Sequence, residues 1–436
     1  MTARRLHTEL LAHAGRLLLE YDESTGAIHR ALESTASALT GDPCQVTVSY
    51  GSVAVSVAGE MATLLLAPEI RYNTAIQARV HAILRWVRLG ALDPAAALAQ
   101  LDRVEIETPR HARWVAVAVL GVAAASLARL LGADAGAVAV AGVASGLGLL
   151  IRQELGRRHF NLLTLPLSAA LIGALLGGVA LRLDWTTTPE LVLIVPALML
   201  IPGPHLINGI LDLVENYIPM SMARLTLAIG ILLASALGVI LGVELVLPGP
   251  LPETDSSVVP LNLVSDMALA GIVTCGFAVF YNTPWAAVAM AAVGGMAGHG
   301  LRFLGLEAGA SLEAATFLGG FAVGAVSGWM ARSGRTPIAV VAFAGAVTMI
   351  PGLNLYRALA GALRLARSPQ LADPGVAVGA LSNGLQACLV ISALALGLIA
   401  GAKTVAALTG APDSARKPPI APKPEQKASL AGREVR

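Results

Sequence analysis

The chain has 436 residues, 56% of them hydrophobic and only 13% charged, with a mean hydropathy of +0.71. A soluble domain carries roughly 25% charged residues, so one large soluble globule, a disordered chain and a disulfide-rich secreted scaffold are all excluded. The net charge of +2 gives no basic surface for nucleic acid. Cys44, Cys275 and Cys388 stand far apart with no CxxC or other metal spacing, so neither a metal nor a cofactor is expected.

The charge is unevenly spread. It falls on 22 of residues 1–111, 26 of residues 112–402 and 10 of residues 403–436. This pattern divides the chain into a soluble head, a membrane body and a basic tail. Leu6, Leu10, Ala14, Leu17 and Tyr21 recur at helical spacing, while Glu9, His13 and Arg16 interrupt any signal-peptide core. Ser24 or Thr25 can cap a second helix reaching about Leu39. Val46, Val48 and Tyr50 alternate, Gly51-Ser52 can turn, and Val53, Val55 and Val57 alternate again, which predicts a hairpin. Met61–Leu66 can add a strand, and residues 72–90 and 94–103 return to helix. Residues 1–111 are thus read as a small cytoplasmic α/β domain.

The body offers ten apolar segments near the 20 or so residues that a span needs. They lie at about 112–131, 133–151, 161–181, 189–210, 221–247, 261–281, 283–302, 310–330, 337–362 and 376–401. The fourth and ninth are broken by Pro202-Gly203 and Pro351-Gly352, 149 residues apart. Two units of five spans follow, at 112–247 and 261–402. An odd count makes the second enter from the opposite face, the signature of an inverted-repeat transporter. Proline removes a donor and glycine permits unwinding. Freed backbone groups are tolerated in lipid only inside protein or at a cavity. Each break also creates a half-helix N-terminus that favours a carboxylate.

Polar residues follow each break: His205, Asn208 and Asp212 after the first, and Asn354, Tyr356 and Arg357 after the second. Asn208 and Arg357 occupy the same repeat position, and Arg357 can grip a carboxylate bidentately. Asn282, His299 and Asn383 add hydrogen-bonding capacity, and Asp266 or Glu313 can carry a proton. The candidate substrate residues are therefore Pro202, Gly203, Asn208, Asp212, Asn282, His299, Pro351, Gly352, Tyr356, Arg357 and Asn383. Arg152, Arg157, Arg158, Arg332 and Arg335 fall in loops on the head side. The 248–260 loop, with Glu253 and Asp255, suits the outside. Both termini are therefore read as cytoplasmic, although Arg357, Arg364 and Arg367 run against that orientation. The Pro-, Lys- and Arg-rich tail, 403–436, is read as disordered.

Gly15-Arg16-Leu17-Leu18-Leu19, Glu23-Ser24-Thr25, Arg71-Tyr72-Asn73 and the stretch from Gly90 to Leu101 resemble the threonine/serine exporter family. So do Gly276-Phe277-Ala278, Tyr281-Asn282-Thr283-Pro284, Gly298-His299-Gly300-Leu301-Arg302, Thr316-Phe317, Pro337, Pro351-Gly352 with Tyr356, and Asn383. The resemblance covers about residues 6–402 and departs at Asp22, where many relatives carry glycine. It implies export of small amino acids or dicarboxylates across the inner membrane, driven by the proton gradient; some relatives split the protein in two. The reading is a secondary exporter of threonine and serine by alternating access, in contact with the lipid bilayer, with self-association left open. Two alternatives stay open: export of succinate or another dicarboxylate, and a membrane-anchored sensor or hydrolase acting through the head. The head carries His7, His13, His29, Asp22, Glu23 and Ser24 but no catalytic signature, so no enzyme is expected.

Overall fold

The computed structural model describes residues 2–65, 71–247, 261–332, 338–367 and 374–409. The chain begins with α1 (Ala3–Glu20) and α2 (Thr25–Thr40), followed by β1 (Cys44–Ser49), β2 (Ser52–Val57) and β3 (Glu60–Leu65). The strands form one antiparallel sheet in the order β1-β2-β3. Val53, Val55 and Val57 are fully buried on one face of β2, as their alternation requires. They meet Leu11, Leu18 and Leu32 of α1 and α2 in a common core. Gly15 lets the sheet approach α1, since a Cβ there would lie 2.9 Å from both Leu32 and Val53. α3 (Thr74–Arg88) is capped by Asn73 and α4 (Pro94–Glu107) by Asp93, with Pro94 in the first turn.

The apolar body follows: α5 (Arg113–Leu130), α6 (Ala135–Arg157), α7 (Thr164–Arg182), α8 (Pro189–Leu198), α9 (Gly203–Val214) and α10 (Ile218–Val246). Then come α11 (Leu263–Phe280), α12 (Trp285–Glu307), α13 (Leu312–Ala331), α14 (Ile338–Ala346), a 3-10 turn (Val347–Met349), α15 (Gly352–Arg367) and α16 (Pro374–Thr409). Among the described residues, 8 helices are long and apolar enough to cross a membrane, or up to 10 spans if each bent pair counts as one. The bent pairs are α8–α9, turning by 67°, and α14–α15, turning by 57°. The last helix runs further than the sequence pattern implied. Residues 403–409, read as the start of the tail, continue α16 to Thr409 because Ala406, Ala407 and Leu408 sustain helix with no breaker. The remainder of the expected tail, and the 248–260 loop, lie outside the described residues.

Helix lengths and neighbours recur along the body. α5, α6 and α7 have 18, 23 and 19 residues; α11, α12 and α13 have 18, 23 and 20. α5 packs on α6 as α11 does on α12, α7 packs on α8 and α10 as α13 does on α14 and α16, and α9 packs on α10 as α15 does on α16. α5 and α11 run antiparallel at the centre, His111 before α5 meeting Asn282 and Thr283 after α11.

Glycines spaced by four set the two closest helix pairs. Gly238 and Gly242 bring α10 onto the α7 backbone at Leu167 and Leu171; Gly397 and Gly401 bring α16 onto Phe317 and Phe321 of α13. A Cβ at Gly242 would lie 2.6 Å from the Ala174 Cβ, and one at Gly401 would overlap the Phe321 carbonyl. Gly242→Val and Gly401→Val should each cost about 1–3 kcal/mol, read as a lowered melting temperature of the detergent-solubilised protein.

Candidate functional site

The two Pro-Gly breaks share one local geometry and touch each other. In each, the glycine N–H donates to the carbonyl two residues back, Gly203 to Ile201 at 2.8 Å and Gly352 to Ile350 at 2.7 Å. In each, the proline carbonyl restarts the helix, accepting from Leu206 (3.1 Å) and from Leu355 (3.0 Å). The contacts are reciprocal. A Cβ at Gly203 would meet Ile350, and one at Gly352 would meet Ile201. Each isoleucine sits two residues before its own glycine and packs on the other. Two narrow clefts flank this contact. One is lined by Ser145, Gly148, Arg152, Pro196, Met199 and Phe280; the other includes Leu198, Ile201, Ser235, Gly352 and Tyr356.

Beyond the first break, α9 turns its polar face to the N-terminal elements. Asp212 accepts from the Thr25 backbone N–H (2.9 Å) and hydroxyl (3.0 Å), capping α2 from another helix. Asn208 donates to the Asp22 carbonyl at 2.6 Å. The His205 Nδ1 lies 3.1 Å from the Asp22 carboxylate. Arg224 of α10 donates to the Glu23 carbonyl and sits 3.6 Å from Asp22 and 3.5 Å from Asp212. Asp22, His205, Asn208, Asp212 and Arg224 are each at most 2% exposed. Charges buried this deeply persist only when paired. Asp22 itself has φ 59, the left-handed conformation that ordinarily favours glycine and that aspartate tolerates. Glu23, also buried, meets His81 at 3.0 Å.

A second seam closes the same junction. Thr74 donates its backbone N–H to the Tyr281 carbonyl (2.9 Å) and shares a hydrogen bond with the Thr283 hydroxyl (2.9 Å). Asn282 donates to the Asn73 side chain at 2.9 Å and accepts from the His111 N–H at 2.8 Å. The Tyr72 ring packs between His205 and Tyr281, with centroids 5.0 and 5.7 Å away. Burial, with the Asp22 charge adding to it, pushes the Tyr72 phenol well above its ordinary pKa.

The expected site residues are thus distributed rather than gathered. Pro202, Gly203, Pro351, Gly352 and Tyr356 lie at the paired breaks; Asn208, Asp212 and Asn282 lie at the junction. Asp266 of α11 and His299 of α12 form a buried carboxylate–imidazole contact at 2.5 Å. Arg302, one turn beyond His299, donates to the Thr316 hydroxyl at 3.2 Å. Arg357 grips Glu190 bidentately at 2.7 and 2.6 Å, an exposed pair tying α15 to the start of α8. Asn383 accepts from Asn354 at 3.3 Å. Glu313 stands in the first turn of α13, where the helix dipole favours an acid. The sequence reading missed Asp22, Tyr72 and Arg152 as site residues, and Arg224 too, although an arginine inside an apolar span is itself a signal. Among the described residues, no group of three or more His, Cys, Asp and Glu could hold a metal ion.

Residues 9–246 match the family profile described as "Putative threonine/serine exporter", and residues 266–403 match a second, described as "Threonine/Serine exporter, ThrE". The chain belongs to the threonine/serine exporter family. It is a multi-pass membrane transporter with up to ten candidate spans among the described residues; the first match ends with α10 and the second begins in the first turn of α11. No solved structure matches the chain. The motifs Glu23-Ser24-Thr25, Arg71-Tyr72-Asn73 and Tyr281-Asn282-Thr283 all meet at the junction between the N-terminal elements and the body.

Removing the Asp212 carboxylate deprives α2 of its cap and leaves Arg224 with less compensation in a buried place. Asp212→Ala should destabilise the protein by about 3–5 kcal/mol, with Asp212→Asn between it and wild type. Accelerated proteolysis within residues 25–65 of the purified protein reads this out.

Proposed function

We propose that this exporter moves threonine and serine out of the cell by alternating access between two inverted five-helix units, 112–247 and 261–402, coupled to the proton gradient. The observation that carries this reading is the reciprocal contact of the two breaks, Ile201 on Gly352 and Ile350 on Gly203. Such an exchange of equivalent residues is what a two-fold relation between the units requires. A rocking motion of one unit against the other would pivot where backbone is already unwound. The recurring lengths and neighbours of α5–α10 and α11–α16 support the same pairing.

The proton carrier in this reading is the Asp266–His299 pair, a buried acid and imidazole sharing one short contact. The N-terminal elements and the C-terminus face the cytoplasm, in the inner membrane of the cell. Their arginine-bearing loops set that orientation, and the junction at Asp22 and Asp212 ties the cytoplasmic elements to the first break through α9.

Counterflow of labelled threonine, serine and succinate into proteoliposomes tests the reading, with and without an imposed pH gradient. Threonine and serine should exchange, and an imposed gradient should drive net movement. Asp266→Asn should keep counterflow while losing the response to the gradient. Gradient-driven transport of wild-type rate in Asp266→Asn would remove the pair as carrier. Exchange of succinate alone would replace the substrate class.

A further inference from the structure

We propose that Arg152 and Ser145 form a binding site for the α-carboxylate of the amino-acid substrate, on the side of the body facing the N-terminal elements. This rests on the exporter reading above and names the residues that recognise its substrate.

Arg152 lies on α6 with its guanidinium over the Phe280 ring, 5.4 Å from the centroid. Among the described residues it has no hydrogen bond and no carboxylate partner. A half-buried arginine beside apolar helices, held by a ring face, lacks the planar acceptor that its fork is shaped to grip. Ser145 lies two turns earlier on the same face of α6. It is 4% exposed, and its hydroxyl is buried with no hydrogen-bond partner. Buried hydroxyls are ordinarily satisfied, so an orphan one on a cleft wall points to a group that comes and goes. Both residues line the cleft whose far wall is Pro196 and Met199, the last turns before the first break. Gly148, between them, lets α7 close on α6, with Ala169 3.4 Å from where a Cβ would be.

The position also explains the side of entry. Arg113, which starts α5 beside the N-terminal elements, donates to Gln153 next to Arg152 at 2.8 Å, and Phe280 ends α11 at that same face. On α12, one place off the 149-residue register of the breaks, stands Arg302. It lies toward the opposite face beside Thr316 and the Asp266–His299 pair. Each unit thus presents one arginine from the same helix, to opposite sides of the paired breaks. Arg152 receives the carboxylate on the loading side, next to the segment that pivots.

The test is concentration-dependent counterflow by the full-length protein in proteoliposomes, with threonine as substrate and threoninamide, which lacks the carboxylate, as competitor. Arg152→Gln should raise KM about tenfold to a hundredfold with little change in kcat. Arg152→Lys should recover part of the loss, because the charge stays while the fork is gone. Ser145→Ala should raise KM about two- to tenfold. Threoninamide should compete poorly with threonine in wild type, and Arg152→Gln should erase that preference. Wild-type KM and intact discrimination in Arg152→Gln would overturn the site while leaving the exporter reading standing. If Arg152→Gln does not assemble, unchanged KM in both Arg152→Lys and Ser145→Ala overturns it equally. Failure of the wild-type protein to exchange any amino acid would overturn the exporter reading and this site together.

Discussion

Everything in the body depends on how two stretches of unwound backbone are kept satisfied away from water. A helix interrupted in hydrocarbon frees several N–H and C=O groups, each costly unless bonded or enclosed. Here the chain uses a two-residue hydrogen bond across each Pro-Gly and a 3-10 turn before the second break. It then covers each glycine with an isoleucine from the other break. Neither break is enclosed by its own half of the chain. The reciprocal contact therefore forces residues 189–214 and 338–367 to the same place, and the remaining helices arrange around that point.

The junction solves a comparable problem for charge. Two aspartates, an arginine and a histidine sit at most 2% exposed, where any one alone would be strongly destabilising. Their arrangement makes the turn between α1 and α2 part of the body: it receives α9 through Asn208 and Asp212, and α10 through Arg224. The N-terminal elements are fastened to the second half of the first broken helix, so movement at that break cannot leave them behind.

Much of this architecture is legible in the sequence, because it rests on periodicity. The alternating valines of β2, the Gly51-Ser52 turn and the apolar lengths of α5–α7 and α11–α13 each reflect a local rule. The paired Pro-Gly breaks are visible for the same reason. The identity of partners is not. Nothing local tells that Asp212 caps a helix 187 residues away, or that Asn282 faces Asn73. Arg152 reads as a loop arginine because charge near a span end ordinarily marks the interface; its place over Phe280 depends on α11 and α6 both packing on α5. Arg357, chosen for its repeat position, finds Glu190 instead, a carboxylate that no spacing rule joins to it. The end of α16 was set too early, since composition marks where apolar residues stop and not where helix stops.

The length of that last helix bears on the lipid around it. At 36 residues and about 1.5 Å per residue, α16 spans roughly 54 Å, against a hydrocarbon thickness of about 30 Å. Val378, Leu381, Leu385, Leu389 and Leu396 are all exposed along it, a greasy stripe about 27 Å tall that matches the hydrocarbon thickness. The remainder of the helix, through Lys403 to Thr409, then projects past the hydrocarbon. Because α13 packs along this same helix, a bilayer much thinner or thicker than that stripe would bear on the tightest helix pair of the body.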